Sequence, residues 1–353
     1  MRYRRIAGTD IDVSEVGFGV WTVAAGWWGA FSDDEAAALM REALDLGVTF
    51  FDTAETYGNG RGETVLAHAF PGAARDQIVI GAKFGYDWQQ RPADRQAGHQ
   101  EARHCWDPPF LEGALRGSLQ RLGTDRIDHW QLHNPRMDAL QRDDLWTFLD
   151  KVQREGHVRS IGVALGPAIG WREEGEFAMA QRSIHSVQMI YNALELDPGR
   201  ALLDAARASS TSLLVRVPHS SGMLEGHYTA DTVFPENDHR RHRPRAWLLN
   251  GIKKIEQLRF LTEDGATLGQ KALRYVLRDP HVASALPNIY NREQLVEFAA
   301  ASDVADVTDA QAATIEALHD SNYGLPVEQE AGLNPETRRR HEAAAGAKGA
   351  ASR

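Results

Sequence analysis

Four residues near the start of this sequence carry side chains that could do chemistry together: Asp52, Tyr57, Lys83 and His133. Asp52 ends the apolar run Thr49-Phe-Phe-Asp52, and Tyr57 follows it five residues on. Lys83 ends Ile78-Val-Ile-Gly-Ala-Lys83, and His133 ends the run from Ile127. A free phenol titrates near 10 and is a poor proton shuttle at neutral pH. An ammonium beside it stabilises the phenolate, and a carboxylate beside the ammonium keeps that cation charged and in place. An imidazole can donate a hydrogen bond to a carbonyl oxygen. Such a set is a general acid for reducing a carbonyl or a general base for oxidising an alcohol. None of the four supplies a hydride, so a nicotinamide cofactor is required. Taken singly, Asp52 could cap a turn, Tyr57 could pack, Lys83 could be the Schiff-base lysine of a lyase, and His133 could be structural.

Bringing four such groups together requires a scaffold that delivers successive strand ends to one face. Short apolar runs alternate with helical stretches along the chain. Strands are expected at 16–20, 49–52, 78–83, 127–133, 160–163, 186–190, 212–217 and 283–286. Helices are expected at 33–46, 62–69, 108–122, 140–155, 174–182, 200–208, 268–278, 292–301 and 309–319. Ser32 with Glu35 is a capping-box pattern, and Gly47 suits the position after the helix end. Eight successive βα units predict a (β/α)₈ barrel, an α/β fold whose chemistry sits at the C-terminal ends of its strands. A doubly wound sheet is the alternative. Val16-Gly-Phe-Gly-Val-Trp21 lacks the third glycine of a dinucleotide-binding turn. Residues 1–13 are expected to form a hairpin closing the barrel bottom. Two irregular polar stretches, 84–106 and 220–245, are expected to be long loops over the catalytic face. The expected domain is 1–323, followed by a low-complexity tail, 324–353, without packed structure.

Composition narrows the class. The 353 residues are 42% apolar and 25% charged, ordinary for a globular chain. With 49 acidic and 39 basic residues the net charge is −10, which disfavours a nucleic-acid partner. No apolar run approaches the roughly 18 residues that cross a bilayer, so no membrane partner is expected. The basic start Met1-Arg-Tyr-Arg-Arg5 is not followed by a signal-like apolar stretch. The one cysteine, Cys105, excludes an internal disulfide and a multi-cysteine metal site. His99, His104 and Cys105 fit no standard zinc spacing, and no metal is expected. These features point to the cytoplasm.

The segments Phe51-Asp-Thr-Ala-Glu-Thr-Tyr57-Gly, Ile80-Gly-Ala-Lys83 and Gln131-Leu-His133-Asn-Pro135 resemble the signature of the aldo-keto reductase family. The stretch Tyr3 to Trp21 is similar to that family's hairpin and first strand, and the resemblance covers about residues 3–320. It implies Asp52, Tyr57, Lys83 and His133 as the catalytic set, with Tyr57 as acid/base. It also implies an NAD(P)H-dependent interconversion of a carbonyl and an alcohol. A cofactor-binding regulatory subunit is a second possibility, since some relatives of this fold serve channels.

The family holds its cofactor along the later strands, and the resemblance continues there with departures. Ala164 and Leu165 stand where Ser and Asn usually hold the nicotinamide amide, while Gln188 matches the amide-binding glutamine. Val217-Pro-His-Ser-Ser-Gly-Met-Leu224 is similar to the family's pyrophosphate loop, which implicates Pro218, Ser220, Ser221, Gly222 and Leu224. Arg216 lies close to the nicotinamide-stacking position and could pair with a phosphate. The segment from Leu286 to Phe298 lines up with the adenosine-binding segment: Gln294 and Glu297 match, Asn288 and Phe298 stand where the family has glycine and asparagine, and Arg292 is the evident cation nearby. By family habit NADP(H) is expected over NAD(H). Trp21, Trp28, Trp88 and Trp106 fall in loops over the catalytic face and suit the apolar face of a sugar-like substrate. Arg91, Arg95, His99, Glu101 and His104 could hydrogen-bond its hydroxyls. His219, His227, His239, His242 and the basic run Arg240 to Arg245 are expected to be solvated loop residues.

Overall fold

The computed structural model describes residues 1–90, 102–166, 171–236 and 238–326. Of the expected substrate-loop residues, Arg91, Arg95, His99 and Glu101 lie outside these ranges, as does the tail from 327 onward.

An antiparallel hairpin, β1 (Tyr3–Arg5) and β2 (Asp12–Ser14), precedes the barrel. The barrel strands are β3 (Phe18–Gly19), β4 (Phe50–Asp52), β5 (Val79–Phe84), β6 (Ile127–His133), β7 (Val158–Ala164), β8 (Ser186–Ile190), β9 (Ser212–Arg216) and β10 (Val282–Leu286). They pair in sequence order and in parallel. Val16, just before β3, bridges to Ala285 of β10 and closes the circle. The expected eight strands are therefore all present, the first shorter than its 16–20 apolar run.

The helices are α1 (Trp21–Ala24), α2 (Asp33–Asp45), α3 (Arg61–Ala69), α4 (Pro108–Leu122), α5 (Met137–Leu140), α6 (Asp143–Arg154), α7 (Arg172–Gln181), α8 (Gly199–Ser209), α9 (Arg245–Glu256), α10 (Leu268–Val276), α11 (Arg292–Ala299) and α12 (Asp309–Asp320). The Ser32–Glu35 capping box forms at the start of α2, and Gly47 takes φ +88° just beyond its end. The helix expected at 140–155 begins three residues later as α6, and Leu140 instead ends the separate short helix α5. The helix α9 was not expected. It lacks a Ser, Thr, Asp or Asn N-cap and carries Asn250 and Gly251 inside it, so its start signal and propensity are both weak.

Alternation along each strand decides what enters the barrel. In β6, Trp130 and Leu132 join the apolar layer beneath the helices. The intervening His129 and Gln131 turn inward, where His129 bonds Ser160 and Ser186 and Gln131 bonds Asp52. In β9, Leu213 and Val215 face the helices, while Leu214 packs in the barrel floor with Ile6, Ile11, Val13 and Phe50. The hairpin thus plugs the bottom, as its apolar residues require. The same parity carries Asp52, Lys83, His133, Gln188 and Arg216 to the interior of the opposite mouth.

Candidate active site

Asp52 and Lys83 are 4% and 0% exposed, and form a direct ion pair. Lys83 Nζ also donates to the Thr53 carbonyl and to Tyr57 Oη, each at 3.0 Å. Burial alone disfavours the ammonium, but Asp52 and Tyr57 outweigh it and hold Lys83 above its ordinary value. The other Asp52 oxygen accepts from Gln188 Nε2 at 2.9 Å and Gln131 Nε2 at 3.1 Å. Two carboxylate oxygens therefore meet three donors, which is what a buried charge requires. The rings of Tyr57 and His133 lie 6.1 Å apart, nearly perpendicular. The four residues expected to act together are brought together.

A second set braces His133. The Tyr86 ring packs edge-on to it at 5.0 Å and stacks on His104 at 4.0 Å. His104 Nε2 donates to the His133 carbonyl at 2.9 Å, and Asn134 Nδ2 donates to Tyr86 Oη at 2.8 Å. Gln131, Tyr86 and Asn134 were missed by sequence reasoning. Strand parity was the available signal for Gln131, since it lies two residues before His133. For Tyr86 there was none, because it meets His104 only through an isolated bridge between the two ends of the 84–106 stretch.

The opposite side of the mouth is built differently. Gln188 is at the interior, but its amide N–H groups serve Asp52 and Gln131. Arg216 ends β9, and its guanidinium donates to the Leu165 carbonyl at 2.5 Å. Its Nε is buried without a hydrogen-bond partner. After it, Val217, Ser220, Ser221 and Gly222 all take positive φ, between 47° and 90°. A β-branched residue with positive φ is rare and strained. The backbone N–H groups of Ser221 and Gly222 have no acceptor among the described residues. Ser220 Oγ reaches Glu195 at 3.2 Å, and Pro218 and Leu224 are buried beneath the loop. A Cβ on Gly222 would meet Tyr228 Oη at 2.3 Å, so only glycine fits that turn.

Gln294 donates to Glu225 Oε2 at 2.9 Å and accepts from the Tyr290 N–H. Glu297 accepts from Thr267 Oγ1 at 2.5 Å. Asn288 is half-buried. Arg292 is exposed and paired with Glu42 of α2 at 2.7 Å, so it is anchored on the outer helices.

Several loop expectations need correction. His219 is 1% exposed, its Nε2 donates to the Gly269 carbonyl at 2.9 Å, and burial pushes it down to about 4. Arg240 is also buried: it is paired with Asp238 and lies 4.3 Å over the Trp28 ring. Trp28 is in turn stacked on Tyr290 at 5.3 Å and touches His239 at 4.8 Å. Within the basic run Arg241, Arg243 and Arg245 are exposed as expected, and Arg240 alone turns inward to an acid and an aromatic cage. Trp21 packs on Trp28 and His239. Trp106 is part of the core, against Phe84 and His104. Trp88 lines a separate cavity of about 280 Å³ with Glu55, Tyr86, Phe110 and Arg121. There Glu55 accepts from the Gly85 and Tyr86 N–H groups, and burial beside Glu63 pushes it up to about 8.

Comparison with known proteins agrees with this architecture. YhdN, an aldo-keto reductase of Bacillus subtilis, is 28% identical over 294 residues, covering 81% of this chain and 84% of that protein. The NADH-specific methylglyoxal reductase of Escherichia coli is 27% identical over 315 residues, covering 86% and 94%. The glycerol dehydrogenase AKR11B4 from Gluconobacter oxydans superposes with a TM-score of 0.76 at 22% identity, covering 93% of this chain and 98% of that one, and supports the fold. No helix among the described residues is long and apolar enough to cross a membrane. The aldo/keto reductase family model matches residues 15–320, from just before the first barrel strand to the end of α12, and the chain belongs to that family.

Proposed function

We propose that this protein is a nicotinamide-dependent oxidoreductase that interconverts a carbonyl and an alcohol, with Tyr57 as the general acid and base. The observation that carries the reading is the hydrogen bond of 3.0 Å from Lys83 Nζ to Tyr57 Oη, with Asp52 holding the lysine from behind. In reduction, Tyr57 Oη gives its proton to the carbonyl oxygen, and Lys83 stabilises the phenolate that remains. His133 Nε2 or Nδ1, fixed by Tyr86 and His104, orients that oxygen. Gln131 and Gln188 hold the second oxygen of Asp52, so its charge stays aimed at Lys83. Oxidation of an alcohol runs the same proton back to Tyr57.

A bound nicotinamide dinucleotide would supply or accept the hydride. The residues present fit such a group. The free N–H groups of Ser221 and Gly222, beside the Ser220 and Ser221 hydroxyls, suit a pyrophosphate. Pro218 and Leu224 seat that loop, and the segment Asn288 to Glu297 would line the adenosine end, with Gln294 tying it to Glu225. Arg292, already paired with Glu42, offers a 2′-phosphate only a shared cation. Relatives include an NADP(+) aldo-keto reductase of Schizosaccharomyces pombe and the NADH-specific methylglyoxal reductase of Escherichia coli. NADP(H) is proposed by family habit, and direct titration of NADPH against NADH decides it. Small aldehydes, ketones and sugars are the proposed substrate class.

A lyase acting through Lys83 would need a neutral amine free to attack. The ion pair with Asp52 and complete burial argue against it. The test is turnover of a carbonyl panel with NADPH and NADH. Reduction by the wild-type protein that persists unchanged in Tyr57→Phe would overturn the mechanism, and borohydride trapping of a substrate on Lys83 would replace it.

A further inference from the structure

Behind the catalytic side, a cavity of about 280 Å³ lies between α4 and the chain that leaves β5. Tyr57, Lys83 and His133 do not line it. Its aromatic walls are Tyr86, Trp88 and Phe110, and its charged residues are Glu55, Asp87 and Arg121. Helix α4 contributes Gly113 and Gly117, and a Cβ on Gly113 would meet nothing within 4 Å. Glycine inside a helix is destabilising relative to alanine, and here it leaves the space unfilled.

The charges around this cavity do not balance. Arg121 Nε donates to Glu63 Oε2 at 2.6 Å, and its guanidinium lies 5.5 Å from the Trp88 ring. Glu55 is 1% exposed, and its Oε1 accepts from the Gly85 and Tyr86 N–H groups at 3.1 and 3.3 Å. Among the described residues, Glu55 Oε2 has no donor and neither Glu55 nor Asp87 has a salt bridge. Two buried acids, Glu55 and Glu63, therefore share one arginine, and the acid left over is the one that lines the cavity. Burial beside Glu63 pushes Glu55 up to about 8, as befits a carboxyl without a cation. Buried charges are ordinarily paired, and aromatic faces beside a carboxylate suit an organic cation.

We infer that this cavity is a second ligand site, which binds an organic ammonium ion carrying a flat apolar group. The ammonium pairs with Glu55, and the apolar group lies among Tyr86, Trp88 and Phe110. Asp87, half-buried, adds a second carboxylate. The charged and titratable groups around Glu55 are Glu63 on α3, Arg121 on α4, and Tyr86 and Asp87 after β5. As the cation binds, the Glu55 carboxyl gives its proton to solvent, so binding strengthens as pH rises toward about 8. A primary ammonium stays charged over that range.

The test titrates the full chain calorimetrically with benzylamine and 2-phenylethylamine, each against its alcohol. At least one amine is expected to bind roughly 10-fold or more tighter than its alcohol, the scale of a charge-assisted bond. Its affinity should rise from pH 6 to pH 8, with a proton released to the buffer. Glu55→Gln should remove both the preference and the pH dependence. Gly113→Leu, which fills the cavity and leaves every charge in place, should abolish amine binding without lowering Tm, and it decides the matter alone if Glu55→Gln does not fold. Alcohols bound as tightly as the amines, absence of amine binding, or amine binding unmoved by either variant would overturn the inference. Binding is read without cofactor or turnover, so each of these outcomes leaves the oxidoreductase reading untouched.

Discussion

The two sides of the barrel mouth differ in how their polar groups are satisfied. On the side of β4, β5 and β6, Asp52 meets Lys83, Gln131 and Gln188, and Lys83 meets Tyr57 and Thr53. On that side the buried charges of Asp52 and Lys83 are answered without a ligand. On the side of β9, the Nε of Arg216 and the N–H groups of Ser221 and Gly222 have no partner among the described residues, and Val217, Ser220, Ser221 and Gly222 are held at positive φ. Strain of that kind persists only where the surroundings enforce it, and it gathers at ligand sites. Proton chemistry needs groups fixed in advance, whereas a cofactor and substrate need donors left open for them.

The contrast can be broken at its strongest point by Tyr57→Phe. Loss of the hydroxyl should lower kcat by about 100- to 10,000-fold, with cofactor affinity kept, as read by steady-state kinetics beside a fluorescence titration. Lys83→Met tests the self-contained side: it leaves Asp52 charged and buried, which costs about 3–5 kcal/mol when one partner of a buried pair is removed. Chemical denaturation of the ligand-free protein should register that loss. On the open side, Gly222→Ala forces a Cβ toward Tyr228 at positive φ. It should cost about 1–3 kcal/mol and reduce the rise in Tm that saturating NADPH gives the wild type.

A further expected effect, read from pH dependence, concerns Glu55, behind the catalytic side. Burial first, and Glu63 second, raise its carboxyl from 4.5 to about 8 in the folded protein. A raised folded value means that the stability owed to the neutral acid is present in full below about 4.5 and is lost as pH rises through about 8. Urea midpoints should therefore fall between pH 5 and pH 8, and Glu55→Gln should flatten that slope. A slope unchanged in the variant would mean that Glu55 is not the group responsible.

Much of this organisation is legible in the chain. Asp52, Lys83 and His133 end strands whose inward parity is fixed by their apolar neighbours, so their convergence follows once eight βα units are recognised. The Ser32–Glu35 box at the start of α2 is local in the same way. By contrast, Arg240 lies in a basic run that composition assigns to solvent, yet it reaches Asp238, Tyr228 and Trp28. Trp106 sits in a polar stretch and belongs to the core. The helix α9 has weak end signals and is held by packing of Leu248 and Ile255.

The sequence by itself determined the barrel, the family and the four residues proposed to be catalytic, because strand parity, caps and a short signature act over a few residues. Only the tertiary structure decided which polar groups are spent on one another and which stay open. Gln188 proves to be tied to Asp52, across 136 positions of chain, and Arg292 to Glu42 on an outer helix. Arg216 proves to have no such partner among the described residues. Hydrogen-bond satisfaction inside a barrel is set by side chains from different strands meeting at one axis, and spacing along a single strand carries no record of those meetings.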